Sequence, residues 1–68
     1  MQTIEIAKLK IPNRYTPAEY FETLKASIAE KGVINPILIS VTGRVIDGVA
    51  RVRAAKALGH TEIPADKF

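Results

Sequence analysis

The sequence predicts a small α+β domain of the order β-α-β-β-α-β, a class that follows from three observations. Polar and apolar residues alternate near the N-terminus. Two later segments carry helix-opening and helix-stopping residues, and the stretch between them is β-branched with a turn signal in its middle. The 68 residues make one domain, whose thin core covers only about 60% of the surface its unfolded chain would expose.

Thr3-Ile4-Glu5-Ile6-Ala7 has period two, and Pro12-Asn13 breaks the pattern, which predicts a first strand over residues 3–9. Thr16-Pro17-Ala18-Glu19 reads as a capping box with proline at the first helical position, so a helix is expected from Pro17. Tyr20, Leu24 and Ile28, joined by Phe21, form its apolar stripe, and Gly32 ends it after Lys31. Pro36 to Val41 is a β-branched run, Thr42-Gly43 a turn, and Arg44-Val45-Ile46 a returning strand, together a hairpin. Good helix formers fill Gly48 to Leu58 until Gly59 stops them, and Ile63-Pro64-Ala65 is short and extended. No linker, internal repeat or low-complexity segment interrupts this order.

Several function classes fall away on composition. Without cysteine, and with His60 alone, there is no disulfide framework, thiolate nucleophile or Cys/His metal cage. The longest apolar run, Ile37-Leu38-Ile39, is far short of the roughly 20 residues that span a bilayer, so a soluble cytoplasmic protein is expected. No G-x-x-x-x-G-K-[ST] or G-x-G-x-x-G loop is present. The net charge of +3 is modest, yet residues 43–60 hold Arg44, Arg51, Arg53 and Lys56 against Asp47 alone and carry the whole excess. An anionic partner is expected there.

Arg51 heads the line drawn back from Ala55 and Leu58 on the second helix, in the first turn, where the helix dipole disfavours a cation. Free backbone N–H groups at the helix start, the close approach permitted by Gly48 and the guanidinium fork of Arg51 suit a phosphate. The alternative is that Asp47 caps the helix and pairs with Arg51. Thr23 and Ser27, four residues apart on the first helix, either receive a phosphate or ribose or bond back to the preceding turn. Glu19 and Glu22 suit the helix dipole rather than catalysis. His60, with only Glu62 to orient it, suits a helix cap or an exposed loop, and Tyr15, Tyr20 and Phe21 make no stacking platform because two of them belong to the helix stripe.

The spacing Ile11-Pro12-Asn13-Arg14, Ser27-Ile28-x-Glu30-x-Gly32-x-x-x-Pro36-Ile37, Ile46-Asp47-Gly48-x-x-Arg51-x-Arg53-Ala54-Ala55 and Ile63-Pro64 resembles the ParB/sulfiredoxin superfamily, in particular the ParB-like N-terminal domain. The resemblance covers nearly the whole chain. It implies a single ParB-like domain over residues 1–68, either excised from a longer protein or free-standing, with a nucleotide, CTP or ATP with or without magnesium, as cofactor. By the same resemblance Gly48 and Arg51 match the phosphate-binding G-x-x-R, Thr23 and Ser27 match hydroxyl positions that contact ATP in sulfiredoxins, and Arg53 matches a second basic position of the partition-protein box. No metal ligands are implied.

Departures limit what carries over. Partition proteins read Gly-Glu-Arg-Arg where this chain reads Gly48-Val49-Ala50-Arg51, so the acid tied to hydrolysis and one arginine are absent. Sulfiredoxins place their cysteine at the position of Val49, which excludes that activity, and a nuclease would need clustered carboxylates where only Asp47 stands near. The expectation is a nucleotide-binding module, without catalytic residues, of a DNA-segregation or transcription-related protein, associated with nucleoid or plasmid. DNA is reached indirectly, through domains outside these residues, or by weak backbone contacts of Arg44, Arg53 and Lys56. Two rivals stay open: a degenerate interaction or homodimerisation module without nucleotide, and a small nucleotide-dependent kinase with Glu30 or Asp47 as base.

Overall fold

The computed structural model describes residues 2–68. Its elements are β1 (Gln2–Glu5), a 3-10 turn (Ile6–Lys8), α1 (Ala18–Lys31), β2 (Ile37–Ile39), β3 (Val45–Asp47), α2 (Val49–Ala57) and β4 (Glu62–Lys67). The strands form one sheet in the order β1-β4-β2-β3, with β4 antiparallel to β1 and parallel to β2, and β2 antiparallel to β3. A parallel pair needs a crossover, and α2 supplies it between β3 and β4. The β-α-β-β-α-β order read from the sequence is therefore the observed one.

The core lies between the sheet and α2. Ile37, Ile39, Ile63 and Ala65 alternate onto one sheet face, where Val45 joins them, and Val49, Val52 and Ala55 come down from α2 at helical spacing. Helix α1 packs on α2, so α2 is the middle of three layers. That place explains its adjacent alanines: Ala54 and Ala55 are both fully buried, on different sides of a helix that is covered twice.

Four details differ from the sequence expectation, each for a physical reason. The first strand stops at Glu5 rather than continuing to residue 9. From Ile6 the backbone tightens, and the Leu9 N–H donates to the Ile6 carbonyl at 3.0 Å. Ile6 and Leu9, three apart, thereby enter the core together, whereas a strand would send them to opposite faces. Helix α1 begins one residue late: Pro17 holds the N-cap position with extended ψ 137°, so no Thr16 capping box forms. The α1 stripe is mostly uncovered. Only Ile28 is buried, and Tyr20 stays 53% exposed, because α1 meets a single helix rather than the sheet. Finally β4 is a full six-residue strand, held between β1 and β2.

The hairpin closes as expected, though with shorter strands. Leu38 faces Asp47 and Ile39 faces Val45, with a bulge between the two pairs. Gly43 N–H donates to the Ser40 carbonyl at 3.0 Å, Ser40 N–H donates to the Arg44 carbonyl at 2.9 Å, and the Ser40 and Thr42 hydroxyls bond at 2.8 Å. At the end of α2, Gly59 (φ 87°) takes the left-handed turn that lets its N–H reach the Lys56 carbonyl and the His60 N–H reach the Ala55 carbonyl, both at 3.0 Å.

Candidate functional site

The chain passes from β3 into α2 through a single residue, Gly48, with φ 103° and ψ 21°. A Cβ here would stand 2.6 Å from Ile37 Cγ2 and 3.0 Å from Ile37 Cβ. Glycine is thus required twice, by its left-handed backbone and by the approach of the helix start to β2. The first helical bond runs from Val52 N–H to the Gly48 carbonyl at 3.0 Å, and no side chain caps the helix. The N–H groups of Val49, Ala50 and Arg51 are left for an outside acceptor, at the positive end of the helix dipole.

Asp47 does not provide that acceptor. It is exposed on β3, and the ion pairs among the described residues are Lys8–Glu5 at 3.9 Å and Lys25–Glu22 at 3.4 Å, both at the surface. Arg51 is half-buried and has neither a carboxylate nor a hydrogen-bond partner among the described residues. Of the two readings open for this turn, the capped and paired one is not realised.

Arg53 is placed elsewhere. At about 100° per residue it projects some 200° around α2 from Arg51, and its Nη1 donates to the Arg14 carbonyl at 2.8 Å while Nη2 reaches Asn13 Oδ1 at 3.5 Å. It therefore ties the loop before α1 to α2 rather than converging with Arg51. Thr23 Oγ1 donates to the Glu19 carbonyl at 2.9 Å, the local back-bond, and Ser27 is exposed one turn further on. Both stand on the helix that packs against α2.

Val49 is buried in the core, so the position following the glycine points inward and offers no chemistry to a ligand. Glu30 and Asp47, the candidate bases of the kinase reading, are exposed on α1 and β3. Lys56 and His60 line a groove of about 500 Å³ near the far end of α2, with Glu5, Ile6, Ala7, Thr61 and Glu62. Arg44 lies beside Lys10 in a separate groove of about 250 Å³, a pairing for which the sequence carries no signal because 33 intervening positions separate the two. Among the described residues no three His, Asp or Glu side chains gather as a metal-ligand set. Nor, among the described residues, is any helix long and apolar enough to cross a membrane.

Fold and site together define a small three-layer α+β domain whose second helix opens uncapped beside an unpaired arginine. The chain belongs to the ParB N-terminal domain family, whose model matches residues 1–66. It is 34% identical over 73 residues to the stage 0 sporulation protein J of Bacillus subtilis, covering 96% of this chain and 26% of that protein. Two structures of C-terminally truncated ParB from Caulobacter crescentus are similar. The one complexed to the centromeric parS site has TM-score 0.86 and 29% identity, with 100% of this chain and 40% of that one covered. The one complexed with CTP-gamma-S has TM-score 0.83 and 31% identity, covering 98% and 43%. The chain spans 13–26% of the length of the curated relatives it matches, which include chromosome- and plasmid-partitioning proteins.

Proposed function

We propose that this domain is the nucleotide-binding module of a DNA-segregation protein, taking CTP or ATP at the start of α2 and using the bound state to govern association with other copies or domains. The observation that carries it is the combination at one turn of a left-handed glycine, an uncapped helix N-terminus and a half-buried Arg51 with no ion-pair partner. Such a turn matches what a phosphate needs: convergent N–H donors and one charge-assisted fork. The Caulobacter relative crystallised with CTP-gamma-S supports the choice of ligand.

In this reading the backbone of Gly48 to Arg51 receives the phosphates and the Arg51 guanidinium neutralises them. Thr23 and Ser27, on the neighbouring helix, orient the rest of the ligand, Thr23 exchanging its back-bond to Glu19 for the ligand. Arg53 contributes by holding the loop at residues 13–14. With Val49 in the core, this turn carries no carboxylate to activate a water, so the nucleotide is bound and not rapidly hydrolysed.

The experiment is a titration of the 15N-labelled domain with CTP, ATP and GTP, each with magnesium. Saturable shifts of the Gly48–Arg51 and Thr23–Ser27 amides, larger for one base, are expected. Arg51→Ala should then weaken binding by about 1.5–3 kcal/mol, some 10- to 150-fold. Equal affinity in a folded Arg51→Ala variant refutes the assigned role. The absence of shifts at millimolar nucleotide refutes nucleotide binding and leaves the interaction-module reading.

A further inference from the structure

Cations outside the helix turn are unequal in their surroundings. Arg53 is spent on the loop at residues 13–14, and Lys56 shares its groove with Glu5 and Glu62. Lys10 and Arg44 differ from both. They are Cα partners in an isolated parallel bridge between the loop after β1 and the hairpin turn. Two backbone bonds lock that bridge, Lys10 N–H to the Gly43 carbonyl and Val45 N–H to the Lys10 carbonyl, each at 2.9 Å.

Two like charges directly opposite one another repel, and no acid relieves this pair among the described residues. Both side chains are exposed, and they line a groove of about 250 Å³ together with Ile11 and Pro12. The fold thus holds two cations side by side without help from either of their side chains: backbone bonds lock the bridge, and the Arg44 N–H also donates to the Ser40 hydroxyl at 3.2 Å. A pair so placed suits neighbouring phosphates of one strand: strands about 4.8 Å apart carry the two long side chains, and each strand of a nucleic-acid duplex offers a phosphate charge for roughly every 3.4 Å of its axis.

We infer that Lys10 and Arg44 form a sequence-independent contact to the phosphate backbone of duplex DNA. The contact is separate from the α2 turn and narrows the basic stretch of this domain to one place. Its shared chemistry with a nucleotide is the phosphate oxygen, so the test must separate a polymer from a free triphosphate.

Fluorescence anisotropy of a labelled random-sequence duplex, titrated with the domain between 50 and 200 mM salt, reads it directly. Wild type should bind with a linear log–log salt dependence. The double variant Lys10→Gln/Arg44→Gln should lose about 1.8 from the magnitude of that slope, for two phosphate contacts, so that a fourfold rise in salt costs it roughly 12-fold less affinity than it costs wild type. Lys56→Gln serves as the comparison and should leave the slope within 0.3 or so of wild type. Circular dichroism should show unchanged folding, because the bridge is made by backbone. No wild-type binding at 50 mM salt, or equal slopes for wild type and the double variant, overturns the inference. So does a double variant that loses CTP-induced amide shifts while keeping its DNA affinity, which would make the pair part of a nucleotide site.

Discussion

Replacing Gly48 by alanine perturbs both constraints that shape the start of α2. The added Cβ would lie 2.6 Å from Ile37 Cγ2, and Ile37, only 1% exposed, sits on a central strand with no room to yield. Overpacking of this kind costs about 1–3 kcal/mol, and a left-handed backbone costs a non-glycine residue roughly 1–2 kcal/mol more. The sum, about 2–5 kcal/mol, is large beside the roughly 3–10 kcal/mol that a domain of this length holds in total. At about 4–8 °C per kcal/mol, thermal unfolding followed by circular dichroism should fall by some 10–40 °C. The clash has a named partner, which makes the argument separable. Ile37→Leu removes the Cγ2 atom but keeps the Cβ at 3.0 Å, so in that background Gly48→Ala should cost less by about 1 kcal/mol, leaving the backbone penalty and the residual Cβ contact. A Gly48→Ala variant within about 0.5 kcal/mol of wild type, or a cost unchanged by Ile37→Leu, would refute the reasoning.

Two further outcomes follow from the packing. Arg53→Ala should cost about 1 kcal/mol in urea unfolding, since a charge-assisted bond at a partly exposed site is lost, and should raise amide exchange in the loop at residues 11–16; unchanged exchange there would remove its anchoring role. Ile28→Ala deletes the one buried side chain of α1 and should cost about 2–4 kcal/mol, with exchange protection lost first in α1 and last in β2 and β4; uniform loss would show that α1 and the sheet do not separate as units.

The order of elements was legible because it depends on local chemistry. Period-two alternation, proline near a helix start, Gly32 and Gly59 at helix ends and the Thr42-Gly43 turn act within a few residues of themselves, and the motif around Gly48 and Arg51 is a short spacing of the same kind. What resisted reading was everything decided by a neighbour distant in sequence. The strand expected through residue 9 gives way to a 3-10 turn because the core needs Ile6 and Leu9 on one side. The α1 stripe promised burial to Tyr20, which the observed single-helix contact does not provide.

The same division runs through the site. Sequence alone determined that an arginine would stand one turn into a helix opened by glycine, since both belong to one contiguous segment. Tertiary structure decided that Asp47 stays on its strand and leaves Arg51 unpaired, that Arg53 turns away to hold residues 13 and 14, and that Val49 is drawn into the core. It also set Lys10 against Arg44 across a bridge. A helix spacing specifies direction around its own axis, but which directions face the sheet, a loop or water depends on where the sheet and α1 pack against it.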